Sequence, residues 1–120
     1  MDNQSLGKQG EDLAVEFFLE EGYQILHRNW RFKHIEIDIV ARDGDQLVIA
    51  EVKTRSGNTW GEPSTAVDIR KQRALIWAAE RYIFANNIDL DVRFDIVSVI
   101  IGPNRTVLEH IREAFHPVAR

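Results

Sequence analysis

The stretch from Ile35 to Arg55, IEIDIVARDGDQLVIAEVKTR, limits what this chain can fold into more than any other. It reads as two strands, rich in the β-branched residues that strands favour, around a tight turn. Asp43-Gly44 suits a type I′ turn and Gly44-Asp45 a type II′ turn. Successive side chains on a strand point to opposite faces. Alternation then puts Ile35, Ile37 and Ile39 on one face of the first strand, and Glu36, Asp38 and Val40 on the other. In the second strand Val48, Ala50 and Val52 share one face, and Leu47, Ile49, Glu51 and Lys53 the other. A Gly44-Asp45 turn sets Asp38 opposite Glu51 and Glu36 opposite Lys53; an Asp43-Gly44 turn sets Glu36 opposite Glu51. Both registers keep the four charged groups on one face of the hairpin. Opposed Cβ atoms lie roughly 4.5–5.5 Å apart, and like charges there repel. Something must offset that repulsion, or one carboxyl must hold a proton.

Clustered carboxylates with one ammonium suit a hard divalent cation such as Mg²⁺, which takes oxygen ligands and often only one or two carboxylates. Such an ion acidifies water and stabilises charge on a phosphodiester. A lysine beside it can orient the attacking water or stabilise the transition state. The informative spacing is Asp38 followed by Glu51-x-Lys53 on the neighbouring strand, since E-x-K alone is common. The competing reading is structural. Glu36 and Lys53 would form a cross-strand ion pair, and Asp38 would pair with Arg31 or Arg93, at a surface where such pairs contribute little. Against it, Val40, Leu47 and Ile49 share the charged face, so that face is partly covered.

Elsewhere the pattern predicts a first helix capped by Ser5, running to about Glu21 and stopped by Gly22. Its apolar stripe contains Leu6, Gly10, Leu13, Ala14 and Phe17, with Glu11 at the border. YQILHRNWRF reads as a strand kinked near Asn29. TRSGNTWGEPS is a loop, and Ser64 or Thr65 can cap a second helix to about Asn86. Its inner stripe is Val67, Lys71, Ala74, Ala78 and Ala85, flanked by Leu75 and Tyr82. VRFDIVSVII is a strand, TVLEHI a last strand and REAF a short tail. The order α-β-β-β-α-β-β implies an α/β fold with a central mixed sheet flanked by helices.

At 120 residues the chain reads as one domain, 1–120, long enough for a core, and 44% hydrophobic with 28% charged residues is a globular balance. The absence of cysteine excludes disulfides and Cys-based zinc sites and fits a reducing cytoplasm. The start lacks a secretory pattern, and no apolar run approaches the roughly 20 residues that cross a bilayer. The net charge of −4 argues against bulk attraction to nucleic acid but allows a local basic patch.

GKQGEDLAVEFFLEEGYQILHRNWR, EIDIVARDG, VIAEVKTRSGNTWGEP and RFDIVSV together resemble the YraN family of bacterial proteins. That family is similar to Holliday junction resolvases of the PD-(D/E)xK restriction-endonuclease-like superfamily. The resemblance covers nearly the whole chain. It implies a restriction-endonuclease-like fold and a Mg²⁺-dependent DNA endonuclease, with Mn²⁺ as a substitute, acting on branched or recombining DNA. Asp38 matches the motif aspartate, and Glu51 and Lys53 match the E-x-K pair. Glu11 matches a first-helix glutamate that completes metal coordination, which makes Glu11, Asp38 and Glu51 the implied ligands and Asp38, Glu51 and Lys53 the implied catalytic group. Where the family often has glycine before E-I-D, this chain has Ile35. A homodimer is also implied by the resolvase likeness.

Arg28, Arg31, Lys33, Arg55, Lys71 and Arg73 are the candidates for holding a nucleic-acid backbone. Trp30 and Phe32, interleaved with the first of these, read either as base-stacking groups or as strand core. Lys71 reads either as reaching the metal site or as a lysine snorkelling past apolar neighbours. The four histidines show no metal-ligand spacing. The functional alternatives are a non-catalytic nucleic-acid-binding module and a protein-interaction domain with a vestigial nuclease site.

Overall fold

The computed structural model describes residues 3–57 and 66–117. Helix α1 (Asn3–Glu20) leads into strands β1 (Gln24–Phe32), β2 (Ile35–Asp43) and β3 (Gln46–Ser56). Helix α2 (Ile69–Ala85) then crosses to β4 (Asp91–Ile101) and β5 (Thr106–Phe115). The strands form one five-stranded sheet in the order β1-β2-β3-β4-β5. Its pairings are antiparallel except β3 with β4, which run parallel. Parallel neighbours need a long crossover, and α2 supplies it. This α/β arrangement, with its mixed sheet and its order of elements, is the one expected of a restriction-endonuclease-like fold.

One helix covers each face. On one side Ala14 and Phe18 of α1 pack on Ile39, Ala41, Val48, Ala50, Val97 and Val99. On the other, Leu75, Ala78, Ala79 and Tyr82 of α2 pack on Ile37, Val40, Leu47, Ile49, Phe94 and Ile96. Strand β4 is buried on both faces from Arg93 to Ile101, which is why its sequence is a near-continuous apolar run. Burying a side chain such as Phe18 contributes on the order of 1.5–3 kcal/mol.

Gly22 stops α1 as expected. At φ 87° it sits in the left-handed region, and the Gly22 and Tyr23 N–H groups donate to the Leu19 and Phe18 carbonyls, the paired bonds of a Schellman end. Ser5 lies inside α1 rather than at its cap, because the helix already runs from Asn3. Helix α2 is capped by Asp68, whose carboxylate accepts from the Lys71 N–H. Ser64 and Thr65 lie outside the described residues. Ala85 is exposed at the end of α2, and Ala79 takes the inward place instead. The segment REAF is no tail: it continues β5 to Phe115, past a register shift opposite Asp95 and a left-handed Glu113.

The hairpin takes the Gly44-Asp45 turn. Asp43 pairs with Gln46, and Gly44 alone of the two central residues has positive φ, 60°, as a type II′ turn requires. Strict alternation through β2 does not survive. Ile35, Ile37 and Val40 face α2, whereas Ile39 and Ala41 face α1. Alternation therefore slips by one residue at Asp38. The matching irregularity is on β1, where Asn29 opposite Asp38 has φ 52°. A residue in the left-handed region cannot continue a regular strand, and asparagine is among the residues that tolerate it.

Candidate functional site

The slip coincides with a fork in the sheet. β2 and β3 pair from Asp43–Gln46 only as far as Ile39–Ala50. Beyond that, β2 stays with β1 while β3 continues beside β4. The Val52 N–H loses its partner strand at the fork, and the Asp38 carboxylate accepts from it at 2.8 Å. An aspartate side chain thus replaces a ladder bond where the strands part.

Groups from both helices converge on this fork. From α1, Glu11 brings a carboxylate oxygen that lies, with oxygens of Glu36 and Asp38, in a set whose members are all within 4.8 Å of one another. Gly10 lets α1 come this close: a Cβ there would collide with the Thr54 side chain on β3. Asn29 donates to Glu11 at 2.8 Å, and Arg28 reaches Asp12 at 2.6 Å. The left-handed turn at Asn29 aims both of these consecutive side chains at α1. From the other face, Glu51 pairs with Lys71 of α2 at 3.5 Å. The result is a pocket of about 350 Å³ lined by Glu11, Glu36, Asp38, Glu51 and Lys71, with Val52 and Thr54 at its wall.

The expected arrangement of four charged groups on one hairpin face is corrected by this geometry. Glu36 and Asp38 belong to the α1 side and Glu51 to the α2 side, and they meet because the strands separate. Glu36 pairs with Arg31 across β1 and β2 at 3.1 Å rather than with Lys53. Asp38 has neither Arg31 nor Arg93 as a partner: Arg31 serves Glu36, and Arg93 serves Asp43 and Asp95. Lys53, on the α2 side of β3 with Glu51, is half-buried and is not among the residues lining the pocket.

The electrostatics follow from this placement. Burial, then the charges of Glu51 and Glu11 and a hydrogen bond with Glu51, push the Asp38 carboxyl up to about 8. The Val52 N–H, which favours the ionised form, only partly opposes them.

A second charged cluster lies on the α1 side of β4. The Arg93 guanidinium donates to Asp95 at 3.0 Å, Asp43 at 2.8 Å, Gln46 at 3.0 Å and the Tyr23 hydroxyl at 2.7 Å. His110 lies 2.7 Å from Asp95, and the Glu113 N–H donates to the same carboxylate at 3.1 Å. Burial pushes Asp95 up, but His110, Arg93 and the Glu113 N–H outweigh it and hold the carboxyl below its usual range. Among the described residues no buried side-chain polar atom lacks a partner.

Among the six cations expected to hold a nucleic-acid backbone, Arg28 pairs with Asp12, Arg31 with Glu36 and Lys71 with Glu51. Lys33 stands over the Phe32 and Trp77 rings, and Arg55 and Arg73 are exposed. Trp30 packs edge-on against Tyr82 in the core, while Phe32 lies outside it against Trp77. Glu36 was not among the expected ligands; its signal was its place two residues before Asp38. Asn29 positions Glu11, and only the expected kink pointed to it. Among the described residues no helix is long and apolar enough to cross a membrane.

Comparison with known proteins agrees with the motifs. The chain is 47% identical over 116 residues to a UPF0102 protein of Bacteroides thetaiotaomicron, covering 97% of this chain and 96% of that protein. It is 44% identical over 115 residues to one of Flavobacterium psychrophilum, covering 96% and 97%. It is also 44% identical over 116 residues to one of Chlorobium chlorochromatii, covering 92% and 90%. The model of the uncharacterised protein family UPF0102 matches residues 10–99, which span Glu11, the fork and β3 through most of β4, and the chain belongs to that family, the YraN family its motifs resemble.

Proposed function

We propose that this protein is a metal-dependent DNA endonuclease that hydrolyses phosphodiesters at the forked end of its sheet, in branched or recombining DNA. The observation that carries this reading is the convergence of Glu11, Glu36, Asp38 and Glu51, from one helix and two strands, on a single pocket. Its donors are all oxygen, and three of them come within 4.8 Å of one another, which fits a hard cation such as Mg²⁺ or Mn²⁺. Glu11, Asp38 and Glu51 would hold it, with Glu36 as a further oxygen donor. When bound, the cation supplies positive charge beside the phosphodiester and makes water a better nucleophile.

The chain's own residues prepare for that charge. Asp38 is fixed by the Val52 N–H, so its oxygens do not need to be ordered on binding. Asn29 similarly holds Glu11. Lys71 stands beside Glu51, and Lys53 follows on the same side of β3; these are the ammonium groups available to steady a phosphate oxygen. The carboxyls must be ionised to act as ligands, so Asp38 must release a proton when a cation enters.

The position of Lys53 away from the pocket lining favours, as a second reading, a non-catalytic nucleic-acid-binding or protein-interaction domain with a vestigial site. One experiment separates them. Mn²⁺ or Mg²⁺ is added to the protein in weakly buffered solution near pH 7, followed by a cleavage assay on junction, flap, duplex and single-stranded DNA. The endonuclease reading expects proton release and a raised Tm on metal addition, both reduced in Asp38→Asn, and cleavage lost in Glu51→Gln. A protein whose Tm and proton release ignore both metals is not this enzyme.

A further inference from the structure

Helix α2 has an outer face that the pocket does not use. Arg70, Arg73, Trp77, Arg81 and Phe84 follow one another at helical spacing and are all exposed. Trp77 is 41% and Phe84 76% exposed, although both are large and apolar. From Arg70 to Phe84 the row extends about 21 Å at ~1.5 Å per residue. Glu80 flanks it as its acidic neighbour.

The turn between β1 and β2 adds to this face. Lys33 places its ammonium 5.9 Å from the Phe32 ring centre and 5.8 Å from that of Trp77. Arg81 lies between Phe32 and Phe84, at 5.4 and 5.5 Å. Cations and ring faces therefore alternate across the surface. Lys33 holds φ 57° at the first position of a two-residue turn, where glycine is the unstrained choice. A lysine kept there in a strained conformation is aimed at the platform.

Charge identifies the occupant. Arg28, Arg31, Arg93 and Arg112 all have carboxylate partners. Among the described residues no carboxylate lies within ion-pair distance of Lys33, Arg70, Arg73 or Arg81. On a chain of net charge −4, four cations with no carboxylate partner among the described residues, three on one helix face and one on the adjoining turn, are a local attractor for a polyanion. A symmetric dimer through this face would bring the same cations against each other. Duplex DNA would satisfy the cations but leave the rings unused, because its bases are already stacked. A single strand offers both phosphates and free base faces. The row starts beside the pocket, since Arg70 adjoins Lys71, which lines it.

We propose that the outer face of α2, with the Phe32–Lys33 turn, is a track that binds single-stranded DNA leading to or from the acidic pocket. The proposal rests on the endonuclease reading for its choice of DNA. Its recognition chemistry is phosphate pairing by Lys33, Arg70, Arg73 and Arg81 and base stacking on Trp77 and Phe84.

The test is fluorescence anisotropy of a labelled 20-nucleotide oligo-dT with the whole protein in EDTA, where cleavage plays no part. Binding should weaken as salt rises and should be competed by unlabelled single strands better than by duplex or by oligo-U. Phe84→Ala and Trp77→Ala should each weaken it about tenfold, within the range for one stacked base. Arg73→Glu and Arg81→Glu, at exposed positions, should weaken it without altering far-UV circular dichroism. Affinity unchanged in Phe84→Ala and Arg81→Glu overturns the track. So does binding of duplex or oligo-U as tight as that of oligo-dT. A dimer seen by sedimentation in wild type and lost in Phe84→Ala also overturns it, by making a second copy the occupant. If oligo-dT binds through this face but no DNA is cut with Mn²⁺, the endonuclease reading fails and the track stands. If DNA is cut by a protein whose affinity ignores these substitutions, the reverse holds.

Discussion

Two groups of charged side chains are built into the sheet, and they are opposites. Around Arg93, the side chains of Arg93 and Asp95 are 1% and 0% exposed, and hydrogen bonds with five other residues complete the group. At the fork, Glu11, Glu36, Asp38 and Glu51 crowd one pocket, and among the described residues Lys71 is the one cation in its lining. The first group holds Asp95 ionised; the second pushes Asp38 up to about 8. Burial raises both carboxyls, so burial is not what separates them. The difference is whether a cation comes with the fold. Arg93 is part of the chain, whereas the fork is left short of positive charge, which is the state expected of a site that receives its charge from outside.

The largest effect should come from breaking the completed group. Arg93→Met leaves Asp95 buried with only His110 and the Glu113 N–H, and removing one partner of a buried ion pair costs about 3–5 kcal/mol. Urea unfolding measures it; a loss below about 1 kcal/mol would mean the network is not a structural unit and the contrast between the clusters is false.

A smaller loss should follow from Gly10→Ala. The added methyl meets Thr54 on β3, and overpacking of this kind costs roughly 1–3 kcal/mol. Because the clash pushes α1 outward, Glu11 should move away from Asp38, and the Tm gain on adding Mn²⁺ should shrink. A variant as stable as wild type with an unchanged Mn²⁺ response would show that close approach of α1 does not set the pocket.

Asp38→Asn should go the other way. It removes a charge that the apo fold disfavours and keeps an oxygen for the Val52 N–H. At pH 8 without metal the variant should be more stable by about 0.5–2 kcal/mol, the usual gain when a strained functional site is relieved. The pH dependence has a definite sign. A raised folded pKa means the folded state holds the proton more tightly than the unfolded one. Stability from Asp38 is then fully present below its usual value of 3.8 and is lost as pH rises toward about 8. Asp95 runs oppositely: its folded pKa is lowered, so its stability is present above the usual carboxylate range and is lost as pH falls through the folded value. Urea midpoints from pH 4 to 9 should fall less steeply with rising pH in Asp38→Asn than in wild type. A variant that is destabilised, with wild-type pH slope and wild-type metal response, would make Asp38 a structural partner like Asp95.

The smallest change in stability belongs to Glu36→Gln. Its partner Arg31 is exposed, and such pairs contribute within about 1 kcal/mol. Stability should barely move while the Tm gain on adding Mn²⁺ drops. An unchanged metal response would remove Glu36 from the donor set and leave Glu11, Asp38 and Glu51.

By itself the sequence determined the order of elements, the end of α1 at Gly22, the Gly44-Asp45 hairpin as one of two registers, and the choice of Glu11, Asp38 and Glu51 as candidates, which the structure places in one pocket. These depend on local rules: glycine in the left-handed region, turn chemistry, the periodicity of strands and helices, and motifs carried by short segments. Only the tertiary structure decided which side of the sheet each carboxylate occupies. Alternation fails at Asp38 because Asn29 on the adjacent strand adopts φ 52°, a choice made by two strands together. It is the parting of β2 from β3 that brings Glu51 into the pocket from the opposite face. The network around Arg93 was equally hidden, since it joins Tyr23, Asp43, Asp95 and His110 from four separate parts of the chain. The charge at each site is a property of three-dimensional neighbours: Asp38 and Asp95 are the same residue type on interior strands, and only folding gives Asp95 an arginine and Asp38 three glutamates.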